Sequence, residues 1–234
     1  MAVPLRSDAP TPSPEGPGGG GPAGGARPPR ADTGVKKPLR GGASMSLVPF
    51  GSVDRIALRW LRGPGPETAF TLSSGEANVA TLRWSEGAGS LATAETADAQ
   101  WTLKRGGFLN PHITARKAGG RTDLARLSVH LSYHRIELAG GPSYRFRRAG
   151  LLVPAWTITT DDGVEVAHIE PVREGRTLVG GAVLVPAAAA DRPELLLLAV
   201  LGWYFIVLAW FEDEALVPLE GPDAPDRPTR ATPP

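Results

Sequence analysis

The chain has 234 residues, 25 Lys and Arg against 24 Asp and Glu, a net charge of +1 and no cysteine. That balance gives no global electrostatic case for nucleic acid or for an acidic partner. The missing cysteines exclude disulfides, thiolate metal sites and cysteine nucleophiles, and fit the cytoplasm.

The first 44 residues hold 10 Gly and 9 Pro and almost no large apolar side chain. Such a segment cannot bury enough surface to offset its ordering entropy, so residues 1–45 are expected to be a disordered tail. It carries no charged-then-apolar secretion signal. Its cations, Arg27, Arg30, Lys36, Lys37 and Arg40, are read as solvated linker charge that can assist at a membrane surface. Met45 stands where the low-complexity stretch ends and is a candidate start. Pro218–Pro234 is likewise expected to be disordered. About 170 residues remain, enough for one domain with a real core.

From Val53 to Val185 the apolar pattern has period two, with turn residues at intervals of about eight to twelve positions, the mark of a sheet-only domain. Ala80, Leu82 and Trp84 alternate with Val79, Thr81 and Arg83, and Trp101 and Leu103 with Thr102 and Lys104. Ala125, Leu127, Val129, Leu131 and Tyr133 share one face of a run whose other face holds Arg126, Ser128, His130, Ser132 and His134. Tyr144 and Phe146 alternate with Arg145 and Arg147, and Trp156 and Ile158 follow the same rule. Glu86-Gly87-Ala88-Gly89, Ala118-Gly119-Gly120, Ala139-Gly140-Gly141-Pro142 and Asp162-Gly163 punctuate these runs as turns. About twelve short strands result, in antiparallel meanders, because no helix-length pattern interrupts them.

After Pro186 the pattern changes. Asp191-Arg192-Pro193-Glu194 reads as a helix start, with Asp191 as N-cap and proline in the first turn. Leu195–Phe211 follows, without a charge and without a polar face, and then Glu212, Asp213 and Glu214 oppose the helix dipole. The predicted helix is 191–214. A helix apolar all round must be enclosed by lipid or by protein. Its apolar part rises about 25 Å, the low edge for crossing a bilayer. Against a membrane span stand the central Trp203–Tyr204 pair and the lack of a positive-inside bias. A barrel of more than about eight strands has room for a helix. On pattern alone both enclosures stay open.

The stretches Ala80-Thr81-Leu82-Arg83-Trp84, Ala94–Arg105 and Leu195–Phe211 resemble bacterial members of the tubby-like barrel superfamily, the group of phospholipid scramblases and LURP-one-related proteins. The likeness lies in a strand, a small-residue strand, a strand Trp101-Thr102-Leu103-Lys104-Arg105 and a terminal apolar helix, and covers about residues 53–214. It implies an all-β closed antiparallel barrel of about twelve strands around one hydrophobic C-terminal helix. It also implies binding of phosphoinositide-type headgroups.

No motif carries catalysis. There is no Gly-x-Ser-x-Gly elbow, Gly18–Gly21 lacks the Lys-Ser/Thr of a phosphate loop, and Asp161-Asp162-Gly163 lacks a calcium-loop ligand series. Glu95 and Asp98 read as surface turn residues. His130 and His134, four apart on one strand, would lie about 13 Å apart, too far to share a metal. His112 and His168 stand alone, so neither metal nor cofactor is expected.

The remaining signal is basic: Lys104, Arg105, Arg116, Lys117, Arg145, Arg147 and Arg148 recur across neighbouring strand candidates. If those strands pair, they form a cationic patch suited to phosphate headgroups; ordinary solubilising charge is the plainer reading. The expected function is therefore a non-enzymatic binding or scaffold domain for anionic phospholipid or a protein partner, cytoplasmic and peripheral at a membrane. The alternative is a tail-anchored protein with 195–211 spanning the bilayer.

Overall fold

The computed structural model of the chain describes residues 46–216, except Pro66, residues 86–88, Leu131 and residues 151–153. The two expected tails, with Met45, and the turn residues Glu86, Gly87 and Ala88 lie outside the described residues. Twelve strands form in chain order: β1 (Ala57–Arg62), β2 (Ala69–Ser74), β3 (Ala77–Trp84), β4 (Ala92–Thr96), β5 (Gln100–Gly106), β6 (His112–Lys117), β7 (Asp123–Val129), β8 (His134–Leu138), β9 (Ser143–Ala149), β10 (Ala155–Thr160), β11 (Glu165–Glu174) and β12 (Thr177–Leu184). One helix, α1 (Leu195–Leu216), follows them.

Each strand pairs antiparallel with its sequence neighbours, and β1 closes the ring on β12 from Ala57↔Leu184 to Leu61↔Gly180. Closure leaves no sheet edge to protect. The period-two residues face inward as their spacing requires: Leu58 and Trp60, Phe70 and Leu72, Ala80 and Leu82, Tyr144 and Phe146 are all buried. At the turns, Gly140 and Gly163 take φ of +67° and +88°, which side-chain-bearing residues rarely adopt.

The helix lies inside this ring. Trp203 stacks on Trp60 of β1 with ring centres 5.7 Å apart, and Tyr204 stacks on Trp84 of β3 at 5.4 Å. From the opposite side Phe205 meets His134 of β8 at 4.4 Å, Trp156 of β10 at 5.2 Å and Phe146 of β9 at 5.5 Å. Gly181 of β12 lets α1 come close, since a Cβ there would sit 2.6 Å from the Trp203 ring. Leu195, Leu198, Ala199, Val200, Leu201, Trp203 and Tyr204 are wholly buried. Each large side chain among them contributes about 1.5–3 kcal/mol by leaving water. Of the two enclosures the sequence allows, protein is the one realised. No helix among the described residues is long and apolar enough to cross a membrane.

Two boundaries differ from expectation. The helix starts at Leu195, not Asp191: Glu194 accepts the first helical bond, from the Leu198 N–H, while the Asp191 carboxylate turns to Arg55 at 2.5 Å. The run from Ala125 to His134 is also two strands and not one. β7 ends at Val129, and His134 opens β8 opposite it. Sequence alternation cannot register such a break when the connection keeps the same apolar–polar phase.

A candidate anion-binding rim

In a meander that is antiparallel throughout, all odd-numbered strands end at one rim and all even-numbered strands at the other. Glu194, at the start of α1, accepts a hydrogen bond from the hydroxyl of Tyr144, near the start of β9. At the far end the Trp210 indole N–H donates to the Arg176 carbonyl, between β11 and β12, at 3.2 Å. The helix thus goes in at the rim where odd strands begin, the inlet, and comes out where they end, the outlet.

Five of the six odd strands carry basic residues at or near their ends, Arg62 on β1, Arg83 on β3, Lys104 and Arg105 on β5, Arg147 and Arg148 on β9 and Arg173 on β11, whereas β7 ends on Leu127-Ser128-Val129. Arg176, in the turn after β11, joins them. Among the described residues Arg62, Arg83, Lys104, Arg147, Arg148 and Arg176 have no carboxylate within ion-pair distance. Arg173 lies over the Trp210 ring at 5.1 Å. Acidic residues at this rim are Glu67, Glu170 and Glu174, and the backbone of α1 carries Glu212, Asp213 and Glu214 out at the same end.

The inlet differs. Its connections hold Glu76, Asp98, Asp161, Asp162 and Asp191. Four cations on that side are paired: Arg55 with Asp191 and Arg116 with Asp123, both at 2.5 Å, and Arg135 and Arg145 with Asp161 at 3.4 and 3.7 Å, while Lys117 at the end of β6 and Arg121 in the turn after it have no carboxylate within ion-pair distance among the described residues.

The seven basic residues nominated from sequence therefore do not form one patch. β5 and β6 pair, but β9 lies four strands away from β5. Lys104, Arg105, Arg147 and Arg148 reach the outlet, whereas Arg116, Lys117 and Arg145 belong to the inlet half. On the outer wall Lys104 lies opposite Thr114 and Thr102 opposite Arg116, lining an open depression of about 440 Å³ with His112. Arg105 shares the face of Leu103 and, with Trp84, Ser90 and Leu208, lines a second depression of about 400 Å³ beside the emerging helix. Missed in the sequence were Arg62, Arg83, Arg173 and Arg176. Their signal was positional: each lies within a residue or two of an odd strand's C-terminus.

The histidines take different places from those expected. His130 is exposed in the β7–β8 connection, while His134 packs inward against Phe205. Burial, aided by His130, lowers the His134 pKa to about 4, so it adds no charge to the rim at neutral pH. His168 is not alone, because Glu170 two residues on lies 3.2 Å from its Nε2. Burial and then the hydrogen bond to Glu194 push Tyr144 up to about 12. Burial likewise pushes Tyr204 up to about 12, and its hydroxyl donates to the Ser90 carbonyl. Among the described residues no three His, Asp or Glu side chains converge on a metal position.

No protein-family model, no curated protein and no solved structure matches this chain. The rim must therefore be read from its own geometry.

Proposed function

We propose that this barrel is a non-enzymatic domain that binds anionic phospholipid headgroups through its outlet rim, peripherally at a membrane. The observation that carries this reading is a contrast in pairing: Arg55, Arg116, Arg135 and Arg145 lie on carboxylates at the inlet, whereas Arg62, Arg83, Lys104, Arg147, Arg148 and Arg176 at the outlet have none within ion-pair distance among the described residues. Each Lys or Arg beside an anionic leaflet contributes about 1 kcal/mol, so a ring of them is a useful affinity even after the acidic residues are set against it. The arrangement of twelve strands around one apolar helix supports kinship with the tubby-like barrels, and that kinship points to the same class of ligand.

Co-sedimentation of the full chain with vesicles tests the reading. The expected result is binding to phosphatidylserine-containing vesicles over phosphatidylcholine alone, strong at low salt and largely lost near 1 M salt, where the screening length falls to about 3 Å. Equal partition onto both vesicle types overturns it and leaves a protein partner as the ligand to seek.

A further inference from the structure

The connection between β5 and β6 has a constitution unlike the rest of the outlet. It is Gly107-Phe108-Leu109-Asn110-Pro111, and its two large apolar side chains are almost wholly in water, Phe108 at 100% and Leu109 at 93% exposure. Two such residues side by side forfeit the burial free energy that drives folding, and nothing in the barrel recovers it.

The backbone that displays them is built, not slack. Gly107 takes φ of +77°, and a Cβ there would run into the Asn110 carbonyl, so the loop folds tightly on itself. That carbonyl lies 3.0 Å from Nδ1 of His112, and the Pro111 carbonyl accepts the Val129 N–H at 3.2 Å. The loop is thereby tied to both β6 and β7. Its tip leaves the barrel at the outlet, directly after Lys104 and Arg105 and on the same rim as Arg83, Arg147 and Arg148. Phe211 at the end of the described helix side chains is also exposed at this rim.

An apolar tip beside Lys104, on a rim that also carries Arg83, Arg147 and Arg148, is complementary to one kind of surface, a leaflet with anionic headgroups over hydrocarbon. The geometry points to Phe108 and Leu109 as a membrane-inserting tip, which orients the barrel with its outlet down on the bilayer and its inlet toward the aqueous phase. This rests on the reading that the outlet rim binds anionic lipid, and adds depth and orientation to it. Electrostatics would bring the rim to the headgroups, and the two side chains would then enter the interface.

The absence of native cysteine makes the test direct. Leu109→Cys in the full chain, labelled with an environment-sensitive nitrobenzoxadiazole dye, reports the tip. Glu76→Cys, in the exposed β2–β3 turn at the inlet, reports the opposite rim. On phosphatidylserine-containing vesicles the dye at 109 is expected to brighten and shift to the blue, and to be quenched by lipid-borne quenchers; the dye at 76 should not respond. Phe108→Ser with Leu109→Ser should weaken partition about tenfold or more, because each loses the transfer of one large side chain. Its salt dependence should stay unchanged, and since neither side chain is buried the fold is kept. Vesicle binding by the unsubstituted chain with no response at position 109, or an undiminished affinity of the double serine variant, overturns the tip and leaves the rim standing. Absence of binding by the unsubstituted chain overturns both.

Discussion

The two rims of this barrel are made from the same residue types and do opposite things with them. At the inlet, arginines and carboxylates lie close enough to satisfy one another: Arg55 with Asp191, Arg116 with Asp123, Arg145 with Asp161, and the Tyr144 hydroxyl with Glu194. At the outlet Arg62, Arg83, Lys104, Arg147, Arg148 and Arg176 stand without a carboxylate partner among the described residues. A paired rim closes a structure; an unpaired one holds a field open to solvent. The difference teaches that a near-zero net charge says little about what a molecule can bind, because the fold can set some cations on carboxylates and leave others without one.

The largest expected effect abolishes both rims together. Leu198 is wholly buried on α1, and Leu198→Arg would place an unpaired cation among apolar side chains. Its cost, several kcal/mol, is a large part of the about 5–15 kcal/mol that holds a domain together. Thermal melting by circular dichroism should lose its cooperative transition. A cooperative melt as in the parent chain would mean that the helix does not lie within the strands.

Charge reversal separates the rims. Arg147→Glu with Arg148→Glu removes two outlet cations and adds two anions, and should weaken partition onto anionic vesicles roughly 100-fold. The melting temperature should hardly change, since both side chains are exposed and neither has a carboxylate within ion-pair distance among the described residues. The inlet counterpart, Arg55→Ala, breaks one exposed pair and should alter stability by less than about 1 kcal/mol, with vesicle binding unchanged. Similar losses of binding from both would erase the distinction between the rims.

Glu194→Ala tests the inlet as a structural seal. The buried Tyr144 hydroxyl would lose its acceptor, at a cost of about 1–3 kcal/mol. For a domain of this size that is a fall in melting temperature of roughly 2–10 °C. Lipid partition should be kept.

The smallest effect concerns acid. His134 has its pKa lowered to about 4 in the fold from an ordinary value of 6.5. Between these values the unfolded chain takes up the proton and the folded chain does not. The stability from a neutral His134 is thus complete above pH 6.5 and declines as pH falls toward 4. Chemical denaturation of His134→Phe across that range should show a shallower loss of stability than the parent. An identical slope would mean that His134 is not buried against Phe205.

Much of the architecture was legible locally. Alternation such as Tyr144-x-Phe146 reports which side chains face inward, though in β3 Val79 and Thr81 are buried along with Ala80 and Leu82, and Asp162-Gly163 reports a reversal, because strand pleat and turn geometry are set by near neighbours. The unbroken apolarity of Leu195–Phe211 already required enclosure. The site was only half legible. Arg116 and Lys104 look alike in sequence, since both are outward basic residues on adjacent strands, yet β5 ends at one rim and β6 at the other.

What the sequence by itself determined is therefore the kind of each element: twelve alternating strands, their inward residues, and one helix that water cannot surround. These follow from periodicity and turn chemistry, which act over a few residues. Only the tertiary structure decided that strands and not lipid enclose the helix, that His134 turns inward, and which arginines gather at an unpaired rim. Those outcomes depend on closing β1 onto β12 and on the direction in which each strand runs. Closure and direction bring together residues more than 100 positions apart, as in Leu61↔Gly180, and no local pattern records that.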